Sequence, residues 1–450
     1  MAQGADIVIA GGGVAGVYCA WRLSHAHPDW RIVVLERTGA LGGRLVSRPS
    51  PSGVTEQGVA LEYGGMRYFA SQPRITALVR RLALPVATIV EQTPANVVCV
   101  RGVSTTVADL PRIAASLYRL GVTERGASPD AIVGRVLAMH ARQRWDTTFV
   151  DAMHALGVTD EALQLYEGAS GYSFQFDDIA ARTAATEHGA AVGEQTQQMV
   201  VGGFQRVPTT LARLCGSNVA IACGVAVDAI CDGGTVVTAG GAHYQARRAI
   251  VLAVPNDAAW AILNRSALVD ATMRDALLNS SLPWDAIKLW VQFDRAWWSP
   301  AWRGKNTSDL GTRQVWLGFA PLVALVYAGD RDARLWRAML PDDGDADRWT
   351  TITRLPALRA RLIADLALMF GVDVPAIRPV RVSWLYWSGA AWFWRAGDVP
   401  ARHAALVGGV PAATVPVHLT CSTYSLDWQG WVEGALQSAD VAVDRILSSS

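Results

Sequence analysis

Short, uninterrupted apolar runs near the N-terminus predict buried strands, and a helical apolar pattern lies between them. Asp6–Ala10 is a β-branched run, Val17–Leu23 follows with helical spacing, and Arg31–Leu35 is a second apolar run. Continuous apolar runs of about four to eight residues are typical of parallel strands that are covered on both faces. The N-terminal segment is therefore predicted to form a β-α-β unit of a parallel sheet.

The rest of the chain alternates between helical and strand-like patterns. Residues 72–190 show periodic apolar positions and few strand-like alternations, so they are predicted to be mainly helical. Ile287–Phe293, Val315–Phe319 and Leu322–Tyr327 have the composition of strands and are predicted to form an antiparallel sheet. A chain of 450 residues is too long for one small core and suits two domains, here interleaved along the sequence.

Composition and charge exclude several classes of protein. The sequence is 51% hydrophobic and 18% charged, as expected for a soluble globular protein rather than a disordered one. The net charge is +1 and no run of lysine or arginine exceeds two residues, so electrostatic binding to nucleic acid or to an anionic membrane is not indicated. No secretory leader and no membrane-spanning segment are recognised, and a cytoplasmic location is the resulting expectation.

The six cysteines include no C-x-x-C pair and no zinc-like spacing. We therefore expect free, mostly buried thiols, and no metal site is predicted.

The first turn carries the strongest chemical signal. Gly11–Gly16 satisfies G-x-G-x-x-G between the first strand and the first helix, and the second apolar run ends in Glu36. Glycines allow a tight turn and a close approach of the backbone to a pyrophosphate, while the helix N-terminus offers free N–H groups. Glu36 can accept hydrogen bonds from ribose hydroxyls. These features together predict a dinucleotide site.

A second glycine pair indicates which dinucleotide is bound. Glu36 is followed by Arg37 and then by Gly42-Gly43-Arg44, an element that NAD-binding domains do not need. In this respect the chain resembles the flavin-containing amine oxidase family, in which E-R and G-G-R follow the first β-α-β unit and the cofactor is FAD. Further segments follow in that family's order: Val201–Phe204, Gly224–Ile230, Ala249–Pro255 and Gly430–Leu436.

The resemblance implies an α/β fold with a discontinuous Rossmann-like FAD-binding domain and a substrate domain of mixed sheet and helices. The expected FAD-binding segments are 1–71, 196–283 and 389–450, and the expected substrate segments are 72–195 and 284–388. It also implies a set of residues that contact FAD: Gly11, Gly13, Val14, Ala15, Gly16, Glu36, Arg37, Gly43, Arg44, Gly64, Gly65, Met66, Val227, Ser422, Thr423, Trp431 and Val432.

Two departures from the family pattern affect the expected cofactor binding. Thr423 stands where many members have an acid against the ribityl chain. The segment Ser383–Trp394, which matches the region of covalent attachment in monoamine oxidases, contains no cysteine. FAD is therefore expected to bind noncovalently.

The segment Glu62–Tyr68, in one-letter code EYGGMRY, places Arg67 beside two glycines. In the family the matching stretch runs along the flavin, and bare glycine backbone can lie against a flat ring. Members that resemble L-amino acid oxidases have an arginine here that holds the substrate carboxylate, and a guanidinium can make two parallel bonds to it. A structural arginine paired to a nearby acid or to the FAD phosphates is the alternative.

Among these oxidases the chain resembles the L-tryptophan oxidases of violacein and indolocarbazole biosynthesis. This resemblance implies an active-site Lys288, a Tyr327 hydroxyl that assists carboxylate binding, an aromatic wall at Trp387, and a pocket-shaping Trp431. Lys288 as a solvent-facing residue, and Tyr327 and Trp387 as core aromatics, remain alternatives. Among the 18 tryptophans, the group Trp384, Trp387, Trp392 and Trp394 is expected to face the pocket.

The implied reaction is oxidation of an aromatic L-α-amino acid to the imino acid, with hydride transfer to FAD and reoxidation by O₂. The expected partners are therefore the amino acid and O₂; a homodimer is compatible with the sequence, which sets no oligomeric state. Three alternatives stay open: an amine or polyamine oxidase, a decarboxylating monooxygenase, and a flavin-binding protein without catalytic activity.

Overall fold

The computed structural model describes residues 2–139, 146–172, 178–191, 196–266, 268–341, 347–410 and 413–449. Helices and strands alternate along this part of the chain. The strands are β1 (Gln3–Ala10), β2 (Ile32–Glu36), β3 (Ser47–Arg48), β4 (Leu61–Glu62), β5 (Tyr68–Phe69), β6 (Val86–Ile89), β7 (Val97–Val100), β8 (Val103–Thr106), β9 (Gln197–Val200), β10 (Val219–Cys223), β11 (Val227–Cys231), β12 (Thr235–Thr238), β13 (His243–Leu252), β14 (Ser281–Phe293), β15 (Gly304–Ser308), β16 (Gln314–Ala320), β17 (Val323–Gly329), β18 (Thr350–Thr351), β19 (Pro379–Trp394) and β20 (Val417–Leu419). The helices are α1 (Val14–Ala26), α2 (Pro73–Arg81), α3 (Leu110–Leu117), α4 (Pro129–Met139), α5 (Phe149–Ala155), α6 (Asp160–Ser170), α7 (Ala181–Ala191), α8 (Arg206–Arg213), α9 (Asn256–Leu263), α10 (Ala271–Asn279), α11 (Asp330–Arg337), α12 (Pro356–Phe370), α13 (Val399–Val407) and α14 (Val432–Ser448).

A largely parallel sheet is formed by segments from both ends and the middle of the chain. Its order is β10-β2-β1-β13-β12-β11, with β20 beside β13. Side chains of α1, α8 and α14 pack on one face, and those of α9, α10 and α13 pack on the other. Every residue of β2 is buried as a result, which explains its uninterrupted apolar run. The predicted β-α-β start of the chain is confirmed.

A second sheet has the order β18-β19-β14-β17-β16-β15-β7-β8. The three strands predicted from sequence correspond to β14, β16 and β17, and they pair antiparallel as expected. Strand β19 covers the other edge of β14 along nearly its whole length. The fold is therefore mixed α/β, as predicted, with one large, mostly parallel sheet and one large, mostly antiparallel sheet. Two small antiparallel sheets, β3-β4 and β5-β9-β6, accompany them in the described part of the chain.

The stretch 72–190 is less purely helical than its pattern predicts. Its described part contains α2 to α7 but also β6, β7 and β8, while residues 140–145 and 173–177 lie outside the described residues. Val97–Val100 is fully buried because β7 pairs with β15 and β8 in the second sheet. A four-residue apolar run cannot be assigned to helix or strand by periodicity alone. Here the run forms a strand that pairs with β15, which lies far along the chain.

The domain division stays a prediction, but two of its limits fall inside long strands. The limit between 283 and 284 lies within β14, and that between 388 and 389 lies within β19. The two strands pair from Ser281 opposite Trp394 to Phe293 opposite Pro379. The chain therefore leaves the second sheet only after Trp394.

All six cysteines are free, as expected. The expectation that they are mostly buried holds for only half of them. Cys19, Cys99 and Cys421 are buried, Cys215 is half-buried, and Cys223 and Cys231 are exposed. Within the described ranges no helix combines the length and apolar character needed to cross a membrane.

Candidate active site

A cavity of about 1940 Å³ runs from the first glycine turn, at the end of β1, to the second sheet. A single small ligand typically needs about 300–1,000 Å³, so this cavity has room for a dinucleotide together with a substrate. Residues from both sheets line it, and the two ends differ in chemistry.

The first end is built of bare backbone. A Cβ on Gly11, where φ is +110°, would lie 2.5 Å from the carbonyl oxygen of Ala253. Helix α1 starts at Val14, and its N-cap is Gly13, which has no side chain to cap the free N–H groups of the first turn. Gly16 does not line the cavity; a Cβ there would lie 2.0 Å from the Gly11 carbonyl oxygen, so this glycine packs the helix onto the turn.

Glu36 closes this end of the cavity and organises the turn around it. Its Oε2 accepts a bond from the Gly12 N–H at 2.7 Å, and its Oε1 accepts from the Thr38 N–H at 2.8 Å and the Thr38 hydroxyl at 2.7 Å. Arg37 and Val227 also line this region. The acid predicted to meet a ribose therefore stands at the cavity wall with its orientation fixed.

Arg44 connects the second glycine pair to the C-terminal part of the chain. Its guanidinium donates to the Ala390 carbonyl oxygen at 2.9 Å, to the Cys421 sulfur at 2.8 Å and to the Ser422 hydroxyl at 3.1 Å. Arg44 and Ser422 line the cavity, whereas Thr423 does not and is fully buried. The hydroxyl that this turn presents to the cavity is that of Ser422, and not that of Thr423 as expected from the family pattern.

The bare backbone at Gly64 has a second cause beyond contact with a flat ring. A Cβ on Gly64 would lie 1.9 Å from the Arg44 carbonyl oxygen, and the next residue donates its N–H to the same oxygen, since Gly65 N lies 2.9 Å away. The two segments that carry Arg44 and Arg67 are thus in direct backbone contact. Gly64, Gly65 and Met66 all line the cavity.

Lys288 lies on β14, is buried, and donates to the Gly64 carbonyl oxygen at 2.5 Å. Burial lowers the pKa of Lys288, and Arg67 lowers it further against the opposing effect of Glu62. Burial raises the pKa of Glu62, whose oxygens accept bonds from the Ser47 hydroxyl at 2.6 Å and the Phe204 N–H at 2.7 Å. Each of these two groups nevertheless favours the charged form of the other, since Lys288 lowers the pKa of Glu62 and Glu62 raises the pKa of Lys288.

Arg67 lies in the cavity wall with its side chain only 9% exposed. Its Nη2 donates to the Tyr172 hydroxyl at 3.2 Å and lies 3.4 Å from Glu91, and its guanidinium carbon is 5.0 Å from the centre of the Trp316 ring. Its Nε is buried and has no hydrogen-bond partner among the described residues. Although burial opposes it, the neighbouring Glu91 holds the pKa of Arg67 above its ordinary value, so the group stays charged.

Glu91 and Lys305 form a half-buried ion pair beside this guanidinium. The Lys305 ammonium lies 2.6 Å from Glu91 Oε1, and the two side chains are 13% and 19% exposed. Burial alone would raise the pKa of Glu91, but Lys305 and Arg67 lower it to about 2. Gln197 also donates to the second oxygen of Glu91. The acid is therefore a fixed anion shared among three donors.

Three aromatic side chains meet between these groups. The rings of Tyr172, Trp284 and Tyr327 pack at 6.1–6.3 Å between centres, and the Lys288 ammonium is 5.1 Å from the centre of the Tyr327 ring. Burial raises the pKa of Tyr327 well above its ordinary value, so its hydroxyl remains a proton donor.

Further aromatics line the same end. Trp431 is the N-cap of α14 and lies 4.8 Å from Phe69 between ring centres, while Trp387 donates its indole N–H to the Tyr63 carbonyl oxygen at 2.7 Å. Phe393 completes the wall.

The four-tryptophan group is not a unit of this wall, contrary to the expectation. Trp387 lines the cavity, but Trp384 and Trp394 belong to hydrophobic cores and Trp392 is buried away from the lining. Alternate residues of a strand point to opposite faces, so a run of tryptophans along β19 cannot all face one ligand.

The structure brings the predicted residues to one cavity with the exceptions of Gly16 and Thr423, and their roles stay predictions. Those that line it are Gly11, Gly13, Val14, Ala15, Glu36, Arg37, Gly43, Arg44, Gly64, Gly65, Met66, Arg67, Val227, Lys288, Tyr327, Trp387, Ser422, Trp431 and Val432. The lining also contains residues that were not predicted, among them Glu91, Tyr172, Trp284, Lys305 and Phe393. A signal existed for Trp284, which shares its strand face with Lys288 at a spacing of four residues.

These features fit FAD. The glycine-lined turn, the uncapped start of α1, and the Glu36 carboxylate suit a dinucleotide, and the start of α14 supplies a second helix N-terminus at the far end.

The sequence matches the family model described as flavin containing amine oxidoreductase over residues 14–447. An uncharacterized protein of Acanthamoeba polyphaga mimivirus is 28% identical over 97% of this chain and 92% of its own length. An L-amino acid dehydrogenase of Synechocystis sp. is 24% identical over 57% of this chain and 53% of its own length.

Two solved structures have similar folds over 100% of both chains. A triple mutant of putrescine oxidase gives a TM-score of 0.73 at 17% identity, and wild-type putrescine oxidase bound to putrescine gives 0.71 at 17%. At these identities the likeness shows a shared fold and does not carry a substrate over.

Proposed function

This chain belongs to the flavin containing amine oxidoreductase family, and we propose that it oxidises an aromatic L-α-amino acid with noncovalently bound FAD. The observation that carries this proposal is the environment of the Arg67 side chain. A buried guanidinium with an unpartnered Nε, in the wall of a flavin-sized cavity, offers what a substrate carboxylate needs. Moving a carboxylate out of water is costly unless a fixed cation meets it.

The charges around Arg67 favour an anionic head group. Arg67 and Lys305 are cations and Glu91 is an anion, while Lys288 and Glu62, each of which favours the charged form of the other, contribute opposite charges that would offset each other. Asp130 also lines the cavity but is exposed, so water screens its charge. The site therefore has a surplus of one positive charge, which one carboxylate neutralises and which a diamine would increase.

The chain's own groups would orient the substrate. Arg67 would grip the carboxylate through its fork, with the Tyr327 hydroxyl donating a further bond. Trp284, Phe393 and Trp387 would contact the side chain, which supports an aromatic, tryptophan-like substrate. The closed aromatic wall would also exclude water, which strengthens each charged contact.

When bound, FAD supplies the acceptor for a hydride from the substrate α-carbon, and O₂ then takes the electrons and leaves as hydrogen peroxide. Lys288 would hold a water or a positive charge next to the ring, since it is anchored at Gly64 in the segment expected to lie along it. No protein base is assigned, because an amine that enters unprotonated can assist hydride departure itself.

The test is an anaerobic flavin-bleaching screen of the twenty L-amino acids and their decarboxylated counterparts. We expect bleaching by aromatic amino acids, much slower bleaching by tryptamine than by tryptophan, and one hydrogen peroxide per turnover after air is admitted. Equal turnover of tryptamine and tryptophan would assign the chain to amine oxidation. An amide product by mass spectrometry would assign it to decarboxylating monooxygenation, and no bleaching by any compound would favour a noncatalytic role. If only an artificial acceptor reoxidises the bleached flavin, the oxidant of the reaction is a compound other than O₂.

A further inference from the structure

We propose that the half-buried Glu91–Lys305 pair is a positioning element that keeps the charge of Arg67 available to a substrate carboxylate. This inference rests on the proposed function, because it concerns how the same site attracts its anion. It assigns a task to two residues that no sequence motif indicated.

The distances show which cation neutralises Glu91. The Lys305 ammonium lies 2.6 Å from Glu91 Oε1, within the range of a charge-assisted hydrogen bond. Arg67 Nη2 lies 3.4 Å from the same oxygen, beyond the usual limit of about 3.2 Å for a good N–H···O bond. Glu91 therefore pairs mainly with Lys305. Glu91 positions Arg67 but does not neutralise the positive charge of its guanidinium.

The backbone holds this pair in place. Lys305 also donates its main-chain N–H to the Glu91 carbonyl oxygen at 2.6 Å. A Cβ on Gly304, where φ is +92°, would lie 2.6 Å from that same oxygen, so only glycine allows the start of β15 to run this close to the segment after β6. Glu91 and Lys305 are thus connected through their side chains and through their main chains. Both connections break only if the segments that carry them move apart.

Removal of Lys305 alone would change the site in a defined way. Glu91 would be left with Arg67 as its only charged partner among the described residues, and the two would form a neutral pair inside the cavity. A substrate carboxylate would then compete with Glu91 for the guanidinium. Removal of both members of the pair, by contrast, would restore the surplus positive charge, and a glutamine at 91 would still offer an oxygen to Arg67 Nη2.

The experiment measures binding of benzoate to the oxidised holoenzyme through the change in flavin absorbance, with neutral benzamide as a probe of equal shape. The variants are Lys305→Met, Lys305→Arg and the double variant Glu91→Gln/Lys305→Met. We expect Lys305→Met to raise the benzoate Kd at least 10-fold, Lys305→Arg to stay within 3-fold of wild type, and the double variant to recover to within 3-fold. Benzamide binding should change less than 2-fold throughout.

Turnover gives a second readout. Lys305→Met should raise KM for the best amino acid with little change in kcat, because Lys305 positions another group and is not expected to touch the reacting atoms. Flavin content and Tm identify any variant that has failed to fold, and the Lys305→Arg and double variants then decide the question.

Two results would overturn the inference. Unchanged benzoate binding by Lys305→Met would show that Lys305 has no effect on the anion. A double variant as weak as Lys305→Met, or weaker, would show that the pair only holds two segments together. If wild type binds benzoate and is bleached by amino acids in either case, the proposed function stands and this inference alone fails; if wild type does neither, both fail.

Discussion

Replacement of Arg67 by lysine tests the carboxylate site most directly. Lysine keeps the positive charge but has one nitrogen in place of a planar fork. In the structure Arg67 already uses Nη2 for Tyr172 at 3.2 Å, and its buried Nε has no partner among the described residues. A lysine would have to choose between these neighbours and the substrate, and it would lose the packing of the guanidinium on Trp316 at 5.0 Å.

The expected loss follows from the number of bonds involved. A hydrogen bond to a charged group contributes about 1.5–3 kcal/mol, and Arg67→Lys removes at least one such bond and displaces the other. We expect transition-state stabilisation to fall by about 2–4 kcal/mol, which is roughly a 30- to 900-fold drop in kcat/KM.

The assay compares kcat/KM for the best amino acid and for its decarboxylated counterpart in wild type and Arg67→Lys. The loss should be confined to the amino acid, with a change of less than about 3-fold for the amine, because only the acid has a carboxylate to lose. Arg378→Lys is the matched control, since that side chain is 58% exposed and 3.9 Å from its acidic neighbour. Unchanged kcat/KM on the amino acid, or an equal loss on both compounds, would refute the assignment.

Three further predictions concern the cofactor and the buried acid. Gly11→Ala should lose most of its FAD, because its new Cβ would lie 2.5 Å from a carbonyl oxygen, whereas Gly39→Ala, whose Cβ would have nothing within 4 Å, should retain it. The measurement is the ratio of flavin to protein after desalting, and equal retention by the two variants would contradict this account of the turn. All FAD should separate from the denatured chain on filtration, and flavin fluorescence that stays with the polypeptide would disprove noncovalent binding. Because the folded pKa of Glu91 is depressed from 4.5 to about 2, its contribution to stability is present above pH 4.5 and is lost as the pH falls toward 2. The gap in unfolding free energy between wild type and Glu91→Gln, from urea titrations, should shrink over that window by on the order of 3 kcal/mol, and a constant gap would contradict the proposed ion pair.

The dinucleotide end of the site was predictable because its signals are local. Gly11, Gly13 and Glu36 belong to one strand-turn-helix-strand segment, so their pattern can be read along a short stretch of the chain. The steric reason for Gly11 is not local, because its Cβ would meet the carbonyl oxygen of Ala253. The G-G-R element and Arg67 required the resemblance to a family, since a glycine pair followed by an arginine specifies no ligand by itself.

The polar cluster at the other end was not predictable, because its members meet only through the sheets. Glu91 follows β6, Lys305 is the second residue of β15, and Tyr172 follows α6. No spacing along the chain connects these residues, and the close approach at Gly304 is visible only after β15 has been placed beside the segment after β6. The misjudged tryptophans have a similar cause: Trp384 and Trp394 lie on one long strand whose pairing with β14 shifts register near Trp284, so composition alone could not tell which side chains face the cavity.

The contact between Gly64 and Arg44 has a thermodynamic consequence. The Arg44 carbonyl oxygen contacts the segment that carries Arg67, so the loop expected to bind the pyrophosphate and the segment between β4 and β5 that carries the expected substrate anchor are in direct contact. Ordering one by ligand binding orders the other, and such linkage is reciprocal by necessity. A bound acid should therefore lower the Kd of FAD by the same factor by which FAD lowers the Kd of the acid, so the fraction of the protein that keeps its prosthetic group should rise with the concentration of substrate.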